Sequence, residues 1–323
     1  MNSSNIPRNS ELFKENINIT NLYINVKLTD SFIYFLRKFR NLQVLEIREA
    51  DAREVAYMSE YLSSCRLTHF GLITNDSEIT SDSVQKLVNS IQELTTLKRL
   101  EMGSITLNHV IMNFSNNSLN HLCLKNTPLS TDNLNCIFSN FNTSIRYLSL
   151  ANTNLYDRHI NCIKKVLKNS RVVNKFQLLE FDLSYNKISS NEISFLIEIY
   201  GHFLNLESIN LSNNMLSNQN MNKLFQFIGD NKLIKELNIG NNLFNENLLP
   251  ELFEFMMFNK SIEKLNLDGL DQGDKFDELN QLSNNTTLRE LSFENLKNIT
   301  NKNVYTISNV LQYCNKNKIH SKF

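Results

Sequence analysis

The segment Leu206–Leu216 reads LESINLSNNML, an apolar pattern of the form LxxLxLxxNxL. It returns from Ile234 as IKELNIGNNLF and upstream from Leu178 as LLEFDLSYNKI. Starts at Leu178, Leu206, Ile234 and Ile262 are each 28 residues apart, and further starts fall at Leu42, Leu67, Leu97, Leu119, Ile145 and Leu288. Ile19 opens a degenerate first unit. Ten units from Leu42 onward give thirty slots at the first, fourth and sixth positions, and all thirty are apolar, Phe70, Met102 and Phe293 included. In a chain that is 41% apolar, chance fills such a set with a probability on the order of 10⁻¹². A period near 27 residues commits the chain to stacked supersecondary units, because no single unit of this length can bury its own apolar face.

Positions four and six place two side chains on one face of a short strand and the residues between them on the other. At position nine, Asn75, Asn186, Asn214 and Asn242 are expected to turn inward and satisfy turn backbone groups. The same slot holds Thr127 and Thr153, or apolar Ile105, Leu270 and Leu296. Roughly 50 of the 323 residues are Asn, far above ordinary usage, so lone Asn motifs carry little weight. Helical spacing follows the strands at Ser83 to Leu94, Asn222 to Ile228 and Leu248 to Phe258. Ser130-Thr131-Asp132 and Ser189-Ser190-Asn191-Glu192 supply N-cap chemistry for two more helices.

On these motifs the chain resembles the leucine-rich-repeat family, in particular its ribonuclease-inhibitor-like subtype, over about Ile19 to Tyr313. The resemblance implies an α/β solenoid: a curved right-handed βα superhelix with a parallel sheet on the concave face and helices on the convex face. No linker divides the chain, so a single domain over 16–314 is expected. It would hold about 10–11 repeats, the first and last acting as caps, with a mobile arm at 1–15 and a fraying basic tail at 315–323. Phe13, Phe32, Tyr34, Phe35 and Phe39 are assigned to the first, covering unit. The chain lacks the subtype's regular Gly-Ala at the helix start. Its units are also uneven: the one from Ile145 is long, with extra material around Ser170 to Gln177, and those from Leu97 and Leu119 are short.

Charge and cysteine usage narrow the function classes. The 33 basic residues balance 33 acidic ones, so bulk charge gives no pull toward nucleic acid or anionic membrane. No apolar run approaches the length of a membrane span, and Met1 to Glu15 has no apolar signal-peptide core. The five cysteines, Cys65, Cys123, Cys136, Cys162 and Cys314, are scattered and form no CxxC, which argues against a disulfide framework or a zinc site. A soluble, cytoplasmic, monomeric protein without metal or cofactor is expected, with secretion by a specialised system left open.

If the strands stack in register, position three forms a column from Val44 through His69, Arg99, His121, Tyr147, Glu180, Ser208, Glu236 and Lys264 to Glu290. Position five runs from Glu46 through Glu101, Cys123, Ser149, Asp182, Asn210, Asn238 and Asn266 to Ser292. Neither column is apolar, which excludes a lipid groove. The units from Leu97, Leu119 and Ile145 contribute Lys98, Arg99, Lys125 and Arg146 against Glu101 to this face, net +3. Those from Leu178 onward contribute Glu180, Asp182, Glu207, Glu236, Glu263, Asp268, Glu290 and Glu294 against Lys235, Lys264 and Arg289, net −5. Candidate partner-binding residues are Lys98, Arg99, Lys125, Arg146, Tyr147, Glu180, Asp182, Tyr185, Glu207, Asn210 and Asn238, with the two tyrosines as anchors. His121 and Cys123 share the face, but nothing in the sequence orients the histidine, and no HExxH, P-loop, GxSxG or GxGxxG occurs. The expectation is a non-catalytic scaffold that binds a protein on its concave face. Two alternatives stay open. One is a regulator of a partner enzyme such as a small GTPase, since Ran GTPase-activating proteins are similar in repeat type. The other is a bacterial effector that mimics eukaryotic repeats.

Overall fold

The computed structural model describes residues 18–25, 36–75, 78–107, 109–113, 118–139, 143–169, 176–271, 277–278, 281–282, 285–295, 301–316 and 319–322. The chain resolves into two compact units, Met1–Ile145 and Arg146–Phe323, where the sequence reads one domain. In the first unit, strands β1 (Asn21–Ile24), β2 (Val44–Ala50), β3 (His69–Thr74), β4 (Arg99–Gly103) and β5 (His121–Cys123) pair in parallel and in sequence order. Three helices accompany them: α1 (Ala52–Leu62), α2 (Ser81–Glu93) and α3 (Thr131–Ser139). The second unit repeats the scheme with β6 (Tyr147–Ser149), β7 (Glu180–Asp182), β8 (Ser208–Asn210), β9 (Glu236–Asn238), β10 (Lys264–Asn266), β11 (Glu290–Ser292) and β12 (His320–Lys322). These seven strands also pair in parallel, each with its successor. Its helices are α4 (Asp157–Asn169), α5 (Ile193–Tyr200), α6 (Met221–Asp230), α7 (Leu249–Phe258) and α8 (Asn301–Lys316).

All thirty repeat slots are buried, none more than 5% exposed. The apolar period therefore encodes one continuous side-chain layer between sheet and helices in each unit. In the second unit that layer is partly aromatic: Phe181 meets Phe203 edge-on at 5.7 Å and Tyr200 at 6.3 Å. Helix starts follow the expected chemistry. Asp51 accepts from the N–H groups of Arg53 and Glu54, and Glu54 accepts the Asp51 N–H at 2.6 Å, a capping box. At α3, Ser130 and Asn133 cap each other reciprocally. The short interval after Leu97 forms no helix over 105–107 and 109–113. Leu107, Val110 and Met112 fill the core there instead. Asn133 donates to the carbonyls of Leu107 and Val110 and so ties that extended segment down.

Asn186, Asn214 and Asn242 do turn inward. Asn186 is the most fully used: it accepts the N–H groups of Thr153 and Leu155 and donates to the carbonyls of Leu150, Leu183 and Ser184. Asn75, however, is exposed. The β2–β3 register slips by one residue after Arg48, so that Ala50 faces Thr74. Thr74 takes the inward slot and donates to the Ser104 carbonyl at 2.6 Å. A further regularity lies one residue earlier. Position eight has positive φ in nine of the ten units: Glu49, Ser104, Asn126, Asn152, Tyr185, Asn213, Asn241, Gly269 and Asn295. Asn and Gly tolerate this left-handed conformation best, so five of the abundant Asn residues have a backbone reason. At Gly269 (φ +69°) a Cβ would also collide with the Asn241 amide oxygen.

Phe39 is buried as expected, whereas Phe13, Phe32, Tyr34, Phe35, the 1–15 arm and residues 170–175 lie outside the described residues. The basic tail differs from the expectation of fraying. Residues His320–Lys322 form β12 on β11, and Ile319 is buried and donates its N–H to the Cys314 carbonyl.

Candidate functional site on the open face of the sheets

In each unit the helices cover one face of the sheet and leave the side chains of positions three and five on the other. The expected columns are real within each unit. Val44, His69, Arg99 and His121 are register partners in the first. Tyr147, Glu180, Ser208, Glu236, Lys264 and Glu290 align in the second, as do Ser149, Asp182, Asn210, Asn238, Asn266 and Ser292.

Lys98, Arg99 and Lys125 belong to the first unit. Lys98 and Lys125 are exposed. Arg99 is not a free cation, because its guanidinium is bonded to Glu101 on its own strand. Glu101 also lies 3.9 Å from the His121 ring, supplying the neighbour that sequence reading does not find. Burial and the Arg99 charge push the His121 pKa down. The neutral ring is therefore favoured, and the carboxylate answers chiefly to the arginine.

The other eight candidates sit on the second unit. Arg146 donates to the Gln177 carbonyl at 3.2 Å, which fixes its guanidinium locally. Tyr147 and Glu180 face each other across the β6–β7 ladder, and Ser149 donates to Asp182 at 2.9 Å. Asp182, Asn210 and Asn238 each accept a backbone N–H two residues on, from Ser184, Ser212 and Gly240. These three are strand-end caps first, and only their remaining polar atoms are available to a partner. Glu207 pairs with Lys235 at 2.8 Å, Glu236 with Lys264 at 2.7 Å and Glu263 with Arg289 at 3.2 Å. Glu180 has no cation within ion-pair distance among the described residues. Burial, then the charges of Glu236 and Asp182, raise its pKa above the usual carboxylate range.

Tyr185 is the anomaly. It carries φ +56° in a slot that its repeat neighbours fill with Asn152 and Asn213, and it is 56% exposed. A bulky side chain held left-handed at the surface is strained without a packing return. Sequence reading misses Met215 and Leu243, which occupy position ten on the turns after β8 and β9 and are 49% and 61% exposed. The available signal was their contrast with Thr106, Pro128, Asn154, Lys187 and Asp271 in the same slot. On the helix side, α6 and α7 enclose a groove of about 720 Å³. Phe225 and Phe255 stack there at 5.2 Å, and Phe258 is exposed.

The thirty buried slots, the parallel in-register strands and the helices between them give each unit the α/β fold of a leucine-rich-repeat solenoid. No family model matches the sequence and no curated protein does. Among solved structures, a TLR13–ssRNA13 complex is similar at 18% identity with a TM-score of 0.48, covering 88% of this chain and 36% of that one. An internalin (InlF) from Listeria monocytogenes is similar at 17% identity with a TM-score of 0.41, covering 94% of this chain and 86% of that one. The chain thus spans little more than a third of the TLR13 chain. Among the described residues no helix is long and apolar enough to cross a membrane, and no group of three His, Cys, Asp or Glu is placed to hold a metal.

Proposed function

We propose that this protein is a non-catalytic interaction scaffold that binds a protein partner on the open face of its repeat sheets. Lys98, Arg99 and Lys125 serve in the first unit. Arg146, Tyr147, Glu180, Asp182, Tyr185, Glu207, Asn210 and Asn238 serve in the second. The observation that carries this reading is Tyr185: strain at an exposed aromatic is kept where a contact uses it. The repeat core and the Asn caps supply rigidity, so the presented side chains need little ordering on binding. On this reading the protein works as a cytoplasmic monomer without a cofactor, and its balanced charge offers nucleic acid no basic stripe to follow.

The test is capture from lysate with mass spectrometry, comparing wild type with Lys98→Glu/Lys125→Glu and with Tyr185→Asn, each shown folded by circular dichroism. At least one variant is expected to lose a partner that wild type holds at low salt and releases by about 0.5 M, where exposed charges are screened. Retention of every partner by both variants rejects the open face. Stimulated GTP hydrolysis in a GTPase panel replaces the scaffold reading with the enzyme-regulator one.

A further inference from the structure

We propose that the open face of the second unit docks a basic amphipathic segment of the partner protein, one that presents Lys or Arg beside Leu, Ile or Phe. This rests on the scaffold reading and adds the chemistry of the partner. Tyr185, Met215 and Leu243 project from the turns that leave β7, β8 and β9, three consecutive repeats. Each is about half exposed or more. Tyr185 stands at position eight of its turn and Met215 and Leu243 at position ten of theirs. One such side chain is ordinary on a protein surface, but exposed apolar side chains on three adjacent turns offer a docking edge. The floor beside that edge selects the charge of what lies on it. Lys235, Lys264 and Arg289 are all engaged by Glu207, Glu236 and Glu263. Glu180 and Asp182, on β7 next to Tyr185, form no ion pair among the described residues, and the one cation whose charge reaches Glu180, Lys264, is itself held by Glu236. Glu180 is moreover crowded by the like charges of Glu236, Asp182 and Glu207. An incoming ammonium or guanidinium relieves that repulsion and finds the Tyr147 ring, the ladder neighbour of Glu180, as a second partner. An acidic segment meets uncompensated repulsion on the same floor.

The probes are three labelled peptides of about 14 residues, long enough for a segment that crosses several strands. One combines Lys with Leu, one Glu with Leu and one Lys with Ser; each is titrated against the full chain by fluorescence anisotropy. The Lys–Leu peptide alone is expected to bind. Its Kd should rise about tenfold in Glu180→Gln/Asp182→Asn and in Met215→Ser/Leu243→Ser. Asn at 182 keeps the oxygen that accepts the Ser184 N–H, so the first variant retains the strand cap. Equal binding of the Glu–Leu or Lys–Ser peptide, or unchanged binding by either variant, overturns the proposal. A benzophenone side chain at Ser208 on the open face, or at Phe258 on the helix side, then reports natural partner segments. Ser208 adducts in basic apolar segments support the proposal, and Ser208 adducts in acidic or uncharged segments overturn it while leaving the scaffold reading intact. Adducts from Phe258 alone overturn the scaffold reading itself.

Discussion

Asn186 and Asn75 hold the same slot of the repeat in sequence and opposite environments in space. Asn186 is 6% exposed and engages five backbone groups from two repeats, and its neighbours Asn214 and Asn242 use three carbonyls and one N–H each. Alanine at 186 leaves the Thr153 and Leu155 N–H groups and the Leu150, Leu183 and Ser184 carbonyls without that partner. The cost of stranding several buried polar groups is about 3 kcal/mol or more. Asn75→Ala, at an exposed turn, is expected to change stability by less than about 0.5 kcal/mol. Urea midpoints of the two variants decide the matter: similar shifts would show that the Asn186 network contributes little. The register slip at Arg48 explains why the pattern misleads at Asn75. A one-residue shift exchanges the inward and outward members of a turn, and no apolar slot moves to betray it.

At the scale of single elements, α4 carries a cap that titrates. The Tyr156 N–H donates to His159 Nδ1 at 3.2 Å, the role a Glu or Gln plays at the third position of a capping box. The imidazole is buried, packs edge-on against Tyr156 at 4.3 Å and lies beside Arg158. Burial first, and then the Arg158 charge, lower its pKa below the usual value near 6.5. The folded state therefore binds fewer protons than the unfolded one over that window. The stability contributed by neutral His159 is complete above about pH 6.5 and is lost as pH falls from there through the lowered folded value. Gln accepts the same N–H and does not titrate. His159→Gln is thus expected to flatten the loss of stability between about pH 7.5 and 5, read as urea midpoints. Glu180 shifts in the opposite sense and His121 and His202 in the same one, so the difference between variant and wild type isolates α4. An unchanged slope would remove His159 from the cap. No helix over Asp157–Asn169 is read from the sequence, and the cap gave no signal there, because His is not among the residue types that mark a helix start. The left-handed position eight was hidden for a related reason. Asn is so abundant in this chain that its one positional preference vanished into composition until φ angles separated it.

For the molecule as a whole, a repeat array has no contacts that tie distant parts of the sequence together, and this shapes both legibility and stability. The thirty slots were readable because each depends only on a neighbour one period away, so burial writes the same pattern ten times. The open face was not: its columns follow from the register, but which charges remain uncompensated depends on ion pairs such as Arg99 with Glu101 and Lys264 with Glu236, and residue types alone do not fix those. Stability inherits the same locality. Among the described residues of the second unit, the strands from β6 to β12 pair with their sequence neighbours within that unit. Phe181→Ala removes a ring packed against Phe203 and Tyr200 and is expected to cost about 3–5 kcal/mol. In a globular domain that loss would be shared by every amide that opens through global unfolding. In a linear array with nearest-neighbour coupling it should fade with repeat distance. Native-state hydrogen exchange on the variant is therefore expected to show the largest loss of protection at β7 and β8, less at β9, and least at β10 and β11. Uniform loss across these strands would mean that the unit unfolds as one cooperative block, with coupling stronger than adjacent repeats provide.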